Sequence, residues 1–364
     1  MKNILLLLVG GTICTALNEK GNLSVHEKAG VLLIEEFLKS DSVYANEVRI
    51  EPTENLGILS ENMTVAKWNR ILETYYSAAS DGKYDGVVIA HGTDTLAYTA
   101  ALLSQFLADT RIPVMLVSAN ENLESERTNG KANFRFAIEN ICRQIPPNVY
   151  VPYRNLSDGK MYLHLASRLQ QCANYSEDFF SVGAMDVSDL KEENYPVFFA
   201  ALDKTYPSSQ RKKLLQYSEC PALKDCVLKI DPYVGINYAA YRYEKFAAVL
   251  HGTYHSGTAC SAEGLKALHE KYEYSVQYML EACAASEKPA EVYLSPSVPR
   301  KGTYETVSEI AECEKNGRKI RFLYGYTEEM AYAKLVIAYS LFETEEERHQ
   351  FIESEYNFER VDSF

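Results

Sequence analysis

The stretch LLLLVGGTICT, residues 5–15, decides the fold. An unbroken apolar run that ends in two glycines reads as a strand buried on both faces, as in a parallel sheet. Gly10-Gly11 lets the backbone turn tightly and come close to a ligand, and Thr12 then presents a hydroxyl at the strand end. A signal-peptide reading fits less well. The apolar run is short, and Gly-Gly-Thr follows it where a small-residue cleavage site would be needed. A second stretch, VVIAHGTDTLAYTAAL at 87–102, repeats the logic. A strand ends at Ala90, Gly92 turns the chain, and Thr93-Asp94-Thr95 opens a helix, whose free N–H groups and partial positive charge suit a carboxylate or a developing oxyanion.

Around these two stretches, the first 190 residues alternate β-rich runs with amphipathic ones. Strands are expected at Ile4–Val9, Val48–Glu51, Gly86–Ala90, Val114–Ser118 and Val149–Tyr153, with helices near 29–39, 64–81, 95–108 and 129–143. That order predicts a parallel sheet flanked by helices. The segment 149–171 reads as a hairpin turning at Asn155-Leu156-Ser157-Asp158-Gly159. Residues 191–221, with three prolines and no period, read as a connection between domains. Beyond it, strands are expected at Val227–Ile230, Ala247–His251 and Glu291–Ser295, and helices near 261–271, 303–316 and 327–343. The fold class is therefore α/β in two domains: a parallel-sheet N-terminal domain, 1–190, and a smaller α/β C-terminal domain, 222–364. The chain's 364 residues are too many for one ordinary core. AAVLHGTYH at 247–255 echoes VVIAHGTDT at 87–95, as two similarly built domains would without shared chemistry.

Composition excludes several functions. With 37 Lys and Arg against 50 Asp and Glu, the net charge of -13 repels phosphate backbones, so no nucleic-acid partner is expected. The basic run Arg211-Lys212-Lys213 reads as a solvated helix face. No run reaches the roughly 18 apolar residues of a membrane-spanning helix, so no membrane partner is expected. Eight scattered cysteines form no C-x-x-C and have no zinc-ligand spacing. Reduced thiols in a cytoplasmic protein follow, with no metal.

Thr12, Thr93 and Asp94 each have a plain reading. Gly-Gly-Thr can be a capped tight turn, and Thr93-Asp94 a helix cap. Neither segment is a phosphate loop, since no Gly-Lys-Ser/Thr and no G-x-G-x-x-G follows. Taken together, two strand-end threonines and an acid make an amidase constellation, in which a threonine nucleophile is activated by a base. His255, in HGTYHSGT, reads as a loop histidine, with a place at a subunit interface as the sharper alternative.

VGGTICT and VVIAHGTDTLAYTAALL resemble the two signature segments of the L-asparaginase/glutaminase family. ILSENMTVAKWNRI (58–71), IPVMLVSANENLESERTNGKANFRFAI (112–138) and RFLYGYTEEMAYAKLVIAYSL (321–341) resemble further segments in order, so the likeness runs from about residue 3 to about 343. The resemblance implies a larger catalytic N-terminal domain, a homodimer or homotetramer with sites near an interface, no cofactor, and a small amino-acid substrate. It gives Thr12 the nucleophile's place. It gives Thr93 and Asp94 the places of the second threonine and its acidic neighbour, and Ser60 and Glu61 those of residues holding the amino-acid head group. The expected reaction is hydrolysis of the asparagine side-chain amide to aspartate and ammonia. The alternatives are a weakened homologue that only binds an amino acid or derivative, and hydrolysis of another small amide. Two positions depart from the family pattern. Asn22 stands where the family has a loop tyrosine. Counting back from ANYSEDFFS, the family's lysine slot falls on Gln170, with Arg168 and Lys160 nearby. Glutamine cannot accept a proton as an amine does, and arginine stays protonated.

Overall fold

The structure, a computed structural model, describes residues 1–17, 20–21, 23–25, 28–182, 185–186, 214, 222–297 and 304–360. Asn22, the run 211–213 and all of the 191–221 connection except Leu214 lie outside the described residues. The chain divides into two compact units: Met1–Ala222 with Tyr356–Phe358, and Leu223–Glu355 with Glu359–Phe364.

The first unit is built on a seven-stranded sheet. Its parallel part comprises β1 (Lys2–Leu8), β4 (Val48–Pro52), β5 (Gly86–Ala90), β6 (Val114–Val117) and β7 (Val149–Arg154). β8 (Met161–Leu165) and β11 (Met185–Asp186) add antiparallel strands at one edge. Across the sheet the order is β11-β8-β7-β6-β5-β1-β4. The run from Ile4 to Val9 is buried throughout, as its unbroken apolar character requires. Two small pairings flank the sheet and were not legible in the sequence: Thr15–Leu17 (β2) with Leu23–Val25 (β3), and Leu169–Gln170 (β9) with Phe180–Ser181 (β10).

Four helices, α1 (Ala29–Leu38), α2 (Val65–Ala79), α3 (Leu96–Phe106) and α4 (Gly130–Cys142), connect the parallel strands. α2 shows how the sequence writes a helix. Thr64 caps it by accepting the Lys67 N–H, and Val65, Trp68, Ile71, Leu72 and Tyr75 bury one stripe at helical spacing. α1 and α4 share one face, where Phe37 meets Phe134 edge-on at 6.4 Å. Their apolar residues form one core with Ile4, Leu6, Leu8, Val88, Met115 and Val117 of the sheet. α2 and α3 meet through the Trp68 Nε1–Thr99 Oγ1 hydrogen bond of 3.1 Å, outside that core. The steps β5 to β6 and β6 to β7 run in the same direction, yet their helices lie on opposite faces. The two crossovers are therefore of opposite hand, and one is of the rare left-handed kind.

The second unit carries a four-stranded parallel sheet, β12 (Val227–Ile230), β13 (Ala248–His251), β14 (Glu291–Ser297) and β15 (Ile320–Tyr324), in sequential order. The helix expected near 261–271 is shorter, Ala262–Ala267, and buries no side chain. Helices Val276–Ala284 and Glu345–Glu353 and strand β15 were not anticipated. Helices Glu305–Lys315 and Glu328–Leu341 stand where they were expected. The seven described cysteines are free. Among the described residues no helix is long and apolar enough to cross a membrane.

Candidate active site

In the first sheet the chain leaves β1 for β4 on one side and returns to β5 on the other. Ligands in open α/β sheets bind at such switch points, beyond the carboxyl ends of the strands. Here those ends are Gly10-Gly11-Thr12 and His91-Gly92-Thr93.

Glycine makes their approach possible. A Cβ on Gly11 would lie 2.1 Å from the Gly92 Cα, and Gly11 has φ 76, so the position excludes a side chain on two grounds. A Cβ on Gly92 would lie 2.4 Å from Ser60 Oγ. Gly10 bridges to Ile58, and the Gly11 N–H donates to Ile58 O at 3.0 Å. Three loops thus converge with almost no side-chain volume between them. Thr12 and Thr93 each follow a glycine of the contact, and Ser60 closes it.

Hydrogen bonds fix the rest. Ser60 Oγ donates to Asp94 Oδ2 at 2.9 Å, and Thr95 Oγ1 donates to Ser60 O at 3.0 Å. Ser60 is buried, Thr93 half-buried and Asp94 exposed. Thr12 begins a short 3-10 turn, Thr12–Cys14, in which Thr15 Oγ1 donates to Thr12 O. His91 lies beneath the site, its Nδ1 2.8 Å from Gly92 O. Burial pulls its pKa down to about 4, so it is neutral near pH 7. Thr12, Ser60, Thr93 and Asp94 are brought together. Glu61 is exposed, on the rim of an open hollow it shares with Asn62, Thr64 and Lys67.

The hairpin forms as expected, β7 pairing with β8 around residues 155–160; beyond it, the residue that faces Thr93 is one later than Gln170. In β9 Leu169 is buried and Gln170 exposed, and the chain then turns Gln171 inward. Gln171 Nε2 donates to Thr93 O at 2.7 Å, and its Oε1 accepts the Ala97 N–H at 3.2 Å. Gln171, not Gln170, reaches the threonine. It also occupies one of the α3 N–H groups expected to be free for an oxyanion. Strand alternation points one member of the Gln170-Gln171 pair inward, but hairpin length decides which. Arg168 donates its Nε–H to Phe358 O, and the Lys160 N–H donates to Asp158 Oδ1 within the hairpin turn. His255 is exposed, its Nδ1 3.2 Å from Ser256 Oγ. The counterpart of His91 in the echo, His251, is buried against the Tyr238 hydroxyl at 2.7 Å and has its pKa pulled down to about 4 by burial.

The profile of the family described as Asparaginase, N-terminal, matches residues 3–197, more than half of the chain. The chain belongs to the asparaginase family. The match spans both glycine–threonine segments, Ser60 and the hairpin. Among relatives, the D-type subunit of the glutamyl-tRNA(Gln) amidotransferase from Methanosphaera stadtmanae is 27% identical over 237 residues, 65% of this chain and 52% of its own length. That from Methanobrevibacter smithii is 29% identical over 184 residues, 49% of this chain and 40% of its own. The chain thus spans about half the length of the curated relatives it matches. The thermostable L-asparaginase from Thermococcus kodakarensis superposes over 99% of this chain and 100% of its own, with TM-score 0.67 and 20% identity. L-asparaginase I from Vibrio cholerae gives TM-score 0.67 and 22% identity over 99% of each chain. At these identities the likeness is one of fold, and it extends the asparaginase-type architecture over both units.

Proposed function

We propose that this asparaginase-family chain is an amidohydrolase that cleaves the side-chain amide of L-asparagine, with Thr12 as nucleophile. The observation that carries the reading is the Gly11–Gly92 contact closed by the Ser60–Asp94 hydrogen bond, which sets two threonines beside an acid at a sheet switch point. The names of the relatives, amidotransferase subunits and asparaginases, support amide chemistry in general. In this reading Asp94 holds the substrate's α-ammonium, and Ser60 orients Asp94. The head-group role that the resemblance gives Glu61 lacks support here, since Glu61 lines a hollow that none of Thr12, Thr93 and Asp94 lines. Thr12 Oγ bonds to the amide carbon, and its proton travels to the departing nitrogen, which leaves as ammonia. Water then cleaves the ester, restoring the hydroxyl and releasing aspartate. Residues 1–190 act as the catalytic domain and 222–364 as its companion. The working form is a cytoplasmic homodimer or homotetramer that uses no cofactor.

A second reading rests on Gln171. If it fills the family's lysine slot, the group facing Thr93 cannot take up a proton. The chain would then bind an amino acid or derivative and turn it over slowly or not at all. Calorimetry with L-aspartate beside ammonia release from L-asparagine separates the two readings. Binding with release supports the hydrolase, and binding without release supports the binder. In either case Asp94→Asn should weaken aspartate about tenfold or more, as for a lost charge-assisted hydrogen bond of about 1.5–3 kcal/mol. Unchanged affinity would reduce Asp94 to a helix cap.

A further inference from the structure

Tyr175 breaks a local rule. The main chain turns at 173–176, where the Ser176 N–H donates to Ala173 O at 3.0 Å, and the third residue of that turn, Tyr175, has φ 62. Left-handed backbone at that turn position suits glycine or asparagine, and a bulky side chain there is strained. Packing ordinarily compensates for such strain. Here none does, because Tyr175 is 108% exposed. Neither local conformation nor burial in the free protein accounts for a tyrosine at this position. Strain of that kind collects at ligand clamps and switch segments.

The surroundings point to a ligand. The turn is the tip of the connection between β9 and β10, and both ends of that connection are tied down. At one end Gln171 bonds to Thr93 O and to the Ala97 N–H. At the other, Asp178 Oδ1 accepts the Leu156 and Ser157 N–H groups at 2.7 and 3.2 Å, and Phe179 exchanges two hydrogen bonds with the Asn155 side chain. Between these ends, among the described residues, the only hydrogen bond from 173–177 to a part of the protein outside this connection is Asn120 Nδ2 to Glu177 Oε2, at a long 3.5 Å. A tip held by its two ends is built like a loop that hinges at them. The candidate site lies within its reach: Thr93, Asp94, Gln171 and Tyr175 all line one cavity of about 440 Å³.

We propose that residues 172–177 form a lid and that Tyr175 closes with it over the amino acid held at Thr93 and Asp94. Closure buries the ring, offsets the strain of the turn and keeps water out of the site. Tyr175 then sets affinity and excludes solvent, and it takes no part in breaking the amide bond. Closure of this kind rests on Thr93 and Asp94 being the ligand site, which the hydrolase and the binder readings share.

Two variants of the full chain test this, with L-aspartate as the probe. Tyr175→Gly removes the ring and suits the left-handed backbone. It should raise the urea midpoint, yet weaken aspartate about tenfold or more in calorimetry, as for a large side chain no longer buried on the ligand. A residue with only a structural role would move both the same way. Tyr175→Trp keeps a ring and adds an indole to a chain whose one native tryptophan, Trp68, is buried. Iodide should quench the added indole strongly in the free protein and only weakly at saturating aspartate. A Tyr175→Gly variant that keeps the parent's affinity within about twofold, or that loses stability, overturns the lid. So does an indole already shielded in the free protein, which would place Tyr175 at an interface with a second copy. Aspartate binding without added shielding removes the lid and leaves the site, whereas a parent that binds no aspartate removes both.

Discussion

Gln171 is a neutral carboxamide held at both ends, its nitrogen on Thr93 O and its oxygen on the Ala97 N–H. An amine in that place would still reach Thr93 O, and partial burial would favour its neutral form, which can take a proton. Gln171→Lys is therefore expected to raise ammonia release from asparagine, by up to about 10²-fold if it restores general-base help. Steady-state assay of parent and variant, with folding checked by circular dichroism, decides this. A folded variant with no gain would mean that Thr93 takes no part in proton transfer. Among single residues the sequence was half legible. Thr12, Thr93 and Asp94 follow short glycine turns whose geometry is local, so the sequence alone marks them as candidates, while Ser60 stands out only through the resemblance to the family. Gln171 lies after a hairpin whose length sets which way a side chain points, and one residue of slip turns it to the other face.

The element that matters most is the pair of strand-to-turn junctions after β1 and β5. Their glycines are not equivalent. Gly11 lies in left-handed backbone with its missing Cβ directed at the Gly92 main chain, while the space missing at Gly92 is filled mainly by the Ser60 side chain. Main chain cannot move aside as a side chain can. Gly92→Ala should therefore cost about 1–3 kcal/mol by overpacking, and Gly11→Ala more than that. Urea unfolding measures the order, and the reverse order would contradict the contact described here. Both variants should lose aspartate binding, since Ser60 and Asp94 move with the junction. These junctions were readable because a parallel strand buried on both faces has no polar residue to blur its end. β15, Ile320–Tyr324, escaped notice because Arg321 breaks the apolar run, its charge taken up by Glu291 through Nε at 3.0 Å. Helix Glu345–Glu353 escaped because only Phe351 and Ile352 among its residues are buried, too few to show a period.

Over the whole molecule, each unit has its own sheet and its own core, and each should have its own vulnerable point. In the second, Lys334 and Glu359 form a fully buried ion pair at 2.7 Å, with Ser354 O accepting a further bond from the ammonium at 2.6 Å. Glu359→Gln leaves that ammonium buried without its counter-charge. A loss of about 3 kcal/mol is expected in the unfolding of this unit, read by urea titration, and a change below about 1 kcal/mol would show that solvent reaches the pair. Such a pair is invisible in sequence, since 25 residues separate its members. In the first unit the vulnerable point is chemical: Thr12, Ser60, Thr93 and Asp94 are proposed to form one amide-cleaving site with Thr12 as its nucleophile. Ammonia release from L-asparagine, measured side by side for the parent and for Thr12→Ala, puts that proposal at risk in a single assay. Measurable release by the parent is expected, with a loss of at least about 10³-fold in the variant, because each 1.36 kcal/mol of barrier is about tenfold in rate. The unfolding curve should stay nearly unchanged. Release by a folded Thr12→Ala variant within about threefold of the parent would contradict the assignment.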